Sequence, residues 1–119
     1  MRGEDLMKYF FGGFVRVHIL HHAAEEPVCG VYMMEELARH GYQLSPGTLY
    51  PILHQLTQSG YLRCQQRVVE GRRRKYYRIT PSGRKLLCQA REKLQELAGE
   101  VLHPKTASTA GRRAARAAR

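Results

Sequence analysis

The chain has 119 residues, 43% of them hydrophobic, which allows one domain with a modest core. No apolar run approaches the roughly 18 residues of a membrane helix, so no membrane span is expected. The formal net charge is +10 and unevenly spread: residues 61–85 carry nine basic and one acidic side chain, whereas residues 1–60 carry four and six. A local excess of this size points to a polyanionic partner such as nucleic acid or an anionic membrane surface, because dispersed charge would serve solubility equally well.

The amino terminus carries an early acidic pair, Glu4 and Asp5, and no apolar stretch ending in small residues. It lacks the pattern of a secretory signal, so a cytoplasmic protein is expected. Three cysteines, Cys29, Cys64 and Cys88, are odd in number and widely spaced. They are expected to be reduced thiols rather than a disulfide framework.

In chain order, residues 11–24 are expected to form a buried helix, with Phe14, Val17, Leu20 and Ile19 on one face. Pro27 closes it by biasing Glu26 away from helical geometry. A second helix is expected over residues 30–40, with a stripe of Val31, Met34 and Ala38 and Leu37 at its edge. Gly41 follows where a left-handed cap prefers glycine. His18 and His22 are spaced i, i+4, with His21 beside them, a spacing that can hold a metal. No carboxylate or second cysteine completes a cluster along the sequence, so these histidines are assigned to packing and surface, with no metal site and no cofactor expected.

The stretch "LSPGTLYPILHQL" opens a third helix between Ser45 and Ser59, and it crowds Pro46, Gly47 and Pro51 onto the entrance. With Ser45 as N-cap, Pro46 falls at the first helical residue, where proline is favoured. Pro51 then costs a hydrogen bond to residue 47. A start at Thr48 would place Pro51 in the first turn, so a loosened first turn is expected to serve both registers. On a helical wheel Leu49, Ile52, Leu53 and Leu56 form the core face. Gly47, Tyr50, Pro51, His54 and Gln58 lie opposite, with Gln55 at the margin and no acidic residue among them.

Residues 61–79 are rich in Val, Tyr, Ile, Arg and Gln, with Glu70-Gly71 near the middle. They are expected to form a two-stranded hairpin. Arg72 and Arg74 should point one way and Arg73 and Lys75 the other. The last helix is expected to use Thr80 as N-cap and Pro81 as its first residue. Leu87, Ala90, Leu94, Leu97 and Val101 are spaced 3, 4, 3, 4, a short seam suited to a homodimer contact or to packing within the chain. Residues 104–119 are small, polar and basic, and disorder is expected there.

Three helices followed by a basic hairpin make a winged helix-turn-helix, mainly α with a small β-hairpin, over residues 1–80. A C-terminal dimerisation helix follows over 81–103. In that arrangement the third helix enters the major groove and the hairpin, or wing, meets the backbone or minor groove. Tyr50, His54 and Gln58 are the base-proximal candidates. Ser45, Gly47, Thr48 and Pro51 form an entrance that can approach phosphate closely. Arg72, Arg73, Arg74 and Lys75 would supply much of the affinity. No Ser/His/Asp arrangement, phosphate loop or paired-carboxylate site is recognisable, so an enzyme is not expected.

The segments "SPGTLYPILHQL" and "GRRRKYYRITPSG", with a looser match in "ILHHAAEEPVCGVYMMEEL", resemble the PadR family of bacterial and archaeal transcriptional regulators. The likeness covers residues of about 10 to 102 and is closest to the short subfamily, with a single long helix after the wing. The resemblance implies a homodimeric, double-stranded-DNA-binding regulator, most often a repressor. It also implies a small-molecule inducer held near the dimer interface, whose identity no residue here selects. Two rivals stay open: a protein-interaction module that uses the winged fold to bind an acidic partner, and a metal-responsive regulator.

Overall fold

The computed structural model describes residues 1–103; the expected basic tail at 104–119 lies outside the described residues. The elements run α1 (Gly3–Glu25), β1 (Val28–Cys29), α2 (Gly30–Arg39), α3 (Pro46–Gln58), β2 (Leu62–Val69), β3 (Arg72–Ile79) and α4 (Pro81–Val101). Among the described residues no helix is long and apolar enough to cross a membrane.

Helix α1 begins eight residues earlier than the apolar pattern suggested. Glu4 and Asp5 occupy its first turn, where carboxylates favour the positive end of the helix dipole, and the Arg2 N–H donates to Asp5 Oδ2 at 3.2 Å. The glycine pair at 12 and 13 is carried inside the helix, and Arg16 Nη1 donates to the Gly12 carbonyl at 2.9 Å. The chain leaves α1 at Glu26 in an extended conformation before Pro27, as the proline dictates.

The core gathers Val15, Ile19, Leu20 and Ala23 from α1, Met33 and Leu37 from α2, and Leu49, Leu53 and Leu56 from α3. Val28, Leu62, Tyr77 and Ile79 from the strands and Leu87 from α4 complete it. The face expected of α3 is the buried one, with Ile52 half-buried. The face of α2 is only partly the expected one: Leu37 is buried and Met34 half-buried, but Gly30 and Met33 are buried where Val31 and Ala38 were expected, and those two are exposed. The reason is tertiary. Val28 and Cys29 pair antiparallel with Tyr77 and Tyr76, adding a third strand that the sequence did not announce. That pairing fixes the orientation in which α2 starts. On α1 likewise, Val15 and Ala23 replace Phe14 and Val17 at the most buried positions.

Both inner helices end alike. Tyr42 N–H donates to the Leu37 carbonyl at 2.9 Å and Tyr61 N–H to the Leu56 carbonyl at 3.0 Å, each across a glycine with φ near 90°. These left-handed caps at Gly41 and Gly60 satisfy carbonyls that would otherwise lack partners.

The sheet order is β1-β3-β2. Glu70 and Gly71 join β2 to β3 with φ of 53° and 76°, the signature of a two-residue type I′ turn. Thr80 then binds several pieces together. Its N–H donates to the Tyr61 carbonyl at 3.1 Å, its hydroxyl donates to the Gly60 carbonyl at 2.5 Å, and the same oxygen accepts from Gly83 N–H at 3.0 Å. It is thus the N-cap of α4.

The described residues divide into two units, Met1–Leu87 and a second that begins at Cys88. The boundary falls inside α4 rather than at residue 80, because Gly83 and Leu87 are buried with the winged domain. Leu87 therefore belongs to the core and is not offered to a second chain. Of the remaining seam, Ala90 and Leu94 are half-buried, and Leu97 and Val101 are exposed.

Candidate nucleic-acid interface

Helix α3 starts at Pro46, with Ser45 in the N-cap position but making no side-chain cap. Its hydroxyl instead lies 3.2 Å from that of Thr48. The Ser45 carbonyl accepts from both Thr48 N–H and Leu49 N–H at 3.0 Å, so the first turn is closed rather than loosened. Pro51 sits inside the helix on its exposed side. Its missing N–H leaves the Gly47 carbonyl without the usual partner, at a position facing solvent. Ser45, Gly47, Thr48, His54 and Gln58 are all exposed. Gln55, at the margin of this face, is tied back to α1 by Arg16 Nη2 at 3.3 Å.

Tyr50 is positioned differently from its neighbours. Its ring lies over Gly30, the first residue of α2. A methyl group there would come within 2.6 Å of Tyr50 Cζ and would meet the hydroxyl oxygen still more closely. Glycine at 30 is thus the space in which the tyrosine ring lies. No sequence pattern signalled this pairing, since the two residues are 20 positions apart on different elements.

The wing carries its cations on both faces. In the β2–β3 register Val69 faces Arg72, Val68 faces Arg73, Arg67 faces Arg74 and Gln66 faces Lys75. Residues 77 and 79 point into the core, so by strand alternation Arg73 and Lys75 share the core-side face beyond the packed region. Arg72, Arg74, Tyr76 and Arg78 share the outer face. Across from them stand Arg63 and Arg67, and the Arg67 guanidinium lies 4.9 Å from the Tyr76 ring centre. Arg63, Arg67 and Arg78 lie outside the four-residue basic run at the turn and extend its outer face along the strands. Period-two alternation outward from Glu70-Gly71 is the sequence signal that marks them.

A cleft of about 450 Å³ unites the two halves of the surface. Cys29, Gly30, Val31, Tyr50, Arg72, Arg73, Arg74 and Lys75 line it. It contains four cations, a phenol and no carboxylate. Such a surface can donate hydrogen bonds to phosphate and base edges without repelling the polyanion.

The sequence matches the transcriptional regulator PadR-like family over residues 19–89. It is 55% identical over 96 residues to the transcriptional regulator Rv3488 of Mycobacterium tuberculosis, covering 81% of this chain and 90% of that protein. Among solved structures it is similar to a transcriptional regulator from Clostridium thermocellum, with 29% identity, TM-score 0.67 and coverage of 82% of this chain and 97% of that one. It is similar also to a PadR family regulator from Eggerthella lenta, with 26% identity, TM-score 0.63 and coverage of 86% and 96%. With a winged helix-turn-helix fold and a family match across most of that domain, the chain belongs to the PadR-like family of transcriptional regulators.

Proposed function

We propose that this regulator is a homodimeric repressor that binds a two-fold-symmetric DNA operator in a sequence-specific manner. The observation that carries the reading is the acid-free cleft in which Tyr50 of α3 meets Arg72, Arg73, Arg74 and Lys75 of the wing. Tyr50, His54 and Gln58 read base edges in the major groove. Ser45, Gly47, Thr48 and Pro51 approach phosphate at the uncapped start of α3, where the helix dipole favours an anion. The wing cations neutralise the flanking backbone.

Dimerisation is supported by apolar side chains left at the surface. Leu97 and Val101 are 52% and 62% exposed, and with Ala90 and Leu94 they continue the 3–4 spacing of the seam. A second copy of α4 supplies the partner face. Two wings related by a two-fold axis then address half-sites about one helical turn, or a multiple of it, apart.

The test is a gel shift with the intergenic DNA upstream of this chain's own gene, against random duplex of equal length. Specific retardation is expected, with Tyr50→Ala and His54→Ala losing the operator selectively. Equal loss on random duplex would reduce both residues to phosphate contacts. No retardation of either DNA would favour an adaptor that binds an acidic protein.

A further inference from the structure

Three histidines distant in sequence come together outside the DNA-facing surface. His18 and His22 lie one turn apart on α1, and His40 is the C-cap residue of α2. The His18 and His40 rings stack with centroids 4.8 Å apart, and the His22 ring lies 6.4 Å from each. One potential ligand nitrogen from each of the three falls within 4.8 Å of the other two. Beside them, Glu36 Oε2 is 3.9 Å from His22 Nε2, while Glu36 Oε1 is held by Arg39 Nη1 at 2.9 Å.

We infer that His18, His22 and His40 form a binding site for a divalent transition-metal ion of borderline softness, zinc foremost, with Glu36 completing or neutralising its shell. This goes beyond DNA binding and does not depend on it.

The argument starts from an unsatisfied atom. His22 Nε2 is buried and has no hydrogen-bond partner, and Glu36 is too distant to supply one. A buried imidazole nitrogen in a polar cluster ordinarily finds a donor or acceptor. A cation that accepts its lone pair would satisfy it.

The donor set suits the ion. Imidazole is the ligand shared by zinc, nickel, copper and iron, and three of them with a carboxylate or water complete a tetrahedron. Zinc–nitrogen bonds of about 2.0–2.1 Å put tetrahedral nitrogens about 3.3 Å apart. The cluster must therefore contract by up to about 1.5 Å from the 4.8 Å limit. His40, exposed at the end of its helix, has the freedom to close that gap by side-chain rotation.

The protonation state also suits it. Burial first, and neighbouring histidines second, push the His18 and His22 imidazoles below their ordinary value, towards the neutral form a metal requires. A second grouping, His21, His22 and Glu25, is also close enough to share an ion. There His21 Nε2 and Glu25 Oε1 already pair at 2.7 Å on an exposed helix face, so the histidine trio is the better site.

The test uses the untagged full-length chain, stripped with chelator and titrated with zinc by calorimetry and with cobalt(II) by visible absorption. One ion per chain is expected, with cobalt bands of a nitrogen and oxygen site and no thiolate charge-transfer band. His18→Gln and His40→Gln should each weaken binding by at least the roughly 10–100-fold that loss of even a supporting group costs. His21→Gln should leave affinity within about twofold, well below that range. His40 is exposed, so its variant should keep the fold, checked by a thermal melt. The inference is overturned by absence of binding, by binding that survives both the His18 and His40 substitutions, by a thiolate band, or by dependence on His21 instead of His40.

Discussion

Gly30→Ala separates the placement of Tyr50 from the stability of the fold. A Cβ at residue 30 would lie 2.6 Å from Tyr50 Cζ and 2.7 Å from Cε1. Ordinary carbon contacts need about 3.5–4.0 Å, so the ring tip must move by about 1 Å. Tyr50 is 38% exposed, which gives its ring room to swing towards solvent. The fold should therefore tolerate the change, the more so because alanine has up to about 1 kcal/mol better helix propensity than glycine. A displacement of about 1 Å nonetheless takes a hydrogen bond out of range. Losing one good base contact costs about 1–3 kcal/mol, or about 5- to 150-fold in Kd. Fluorescence anisotropy on the operator should show that loss with a melting temperature close to the parent's. The decisive measurement is a double-mutant cycle with Tyr50→Ala. Once the tyrosine is gone, Gly30→Ala has nothing left to displace, so the double variant should bind like Tyr50→Ala alone. Additive losses, or parental affinity in Gly30→Ala, would refute the role assigned to this pair.

The wing's contribution is measurable as salt dependence: Arg73→Ala and Arg74→Ala should each weaken binding to all sequences and lower the slope of log K against log salt by about one. Unchanged slopes would remove the wing from the mechanism. Leu97→Glu places a carboxylate against its symmetry mate in the proposed α4 contact, at a cost on the order of several kcal/mol. Sedimentation should then report a monomer, and a persistent dimer would relocate the interface. Burial, and next the neighbouring Cys64 thiol, push the Tyr77 phenol up from 10.0 to about 12. The folded state thus holds this proton more tightly than the unfolded chain does. Tyr77 contributes stability that is present below pH 10 and is lost as pH rises through about 12. In an alkaline absorbance titration it should ionise after the more exposed tyrosines, and a single unperturbed transition for all seven would contradict its burial.

Much of this protein is local and was legible in the sequence. Helix periodicity placed the buried face of α3, glycine punctuation placed the cap at Gly41, and Glu70-Gly71 placed the turn of the wing. The resemblance carried by "SPGTLYPILHQL" and "GRRRKYYRITPSG" pointed to the family that the comparisons show. These features depend on residues a few positions apart, whose geometry the backbone largely dictates. The tertiary structure decided what depends on residues far apart. The pairing of Val28 and Cys29 with β3 turned α2 to bury Met33 beside Leu37, leaving Val31 and Ala38 exposed. Packing placed Tyr50 over Gly30 and took Leu87 out of the seam into the core. It also brought His40 onto His18, supplying the third imidazole that the i, i+4 pair lacked along the chain. Rigid helices meet at angles set by their combined side-chain volumes, and no short stretch of sequence holds that information.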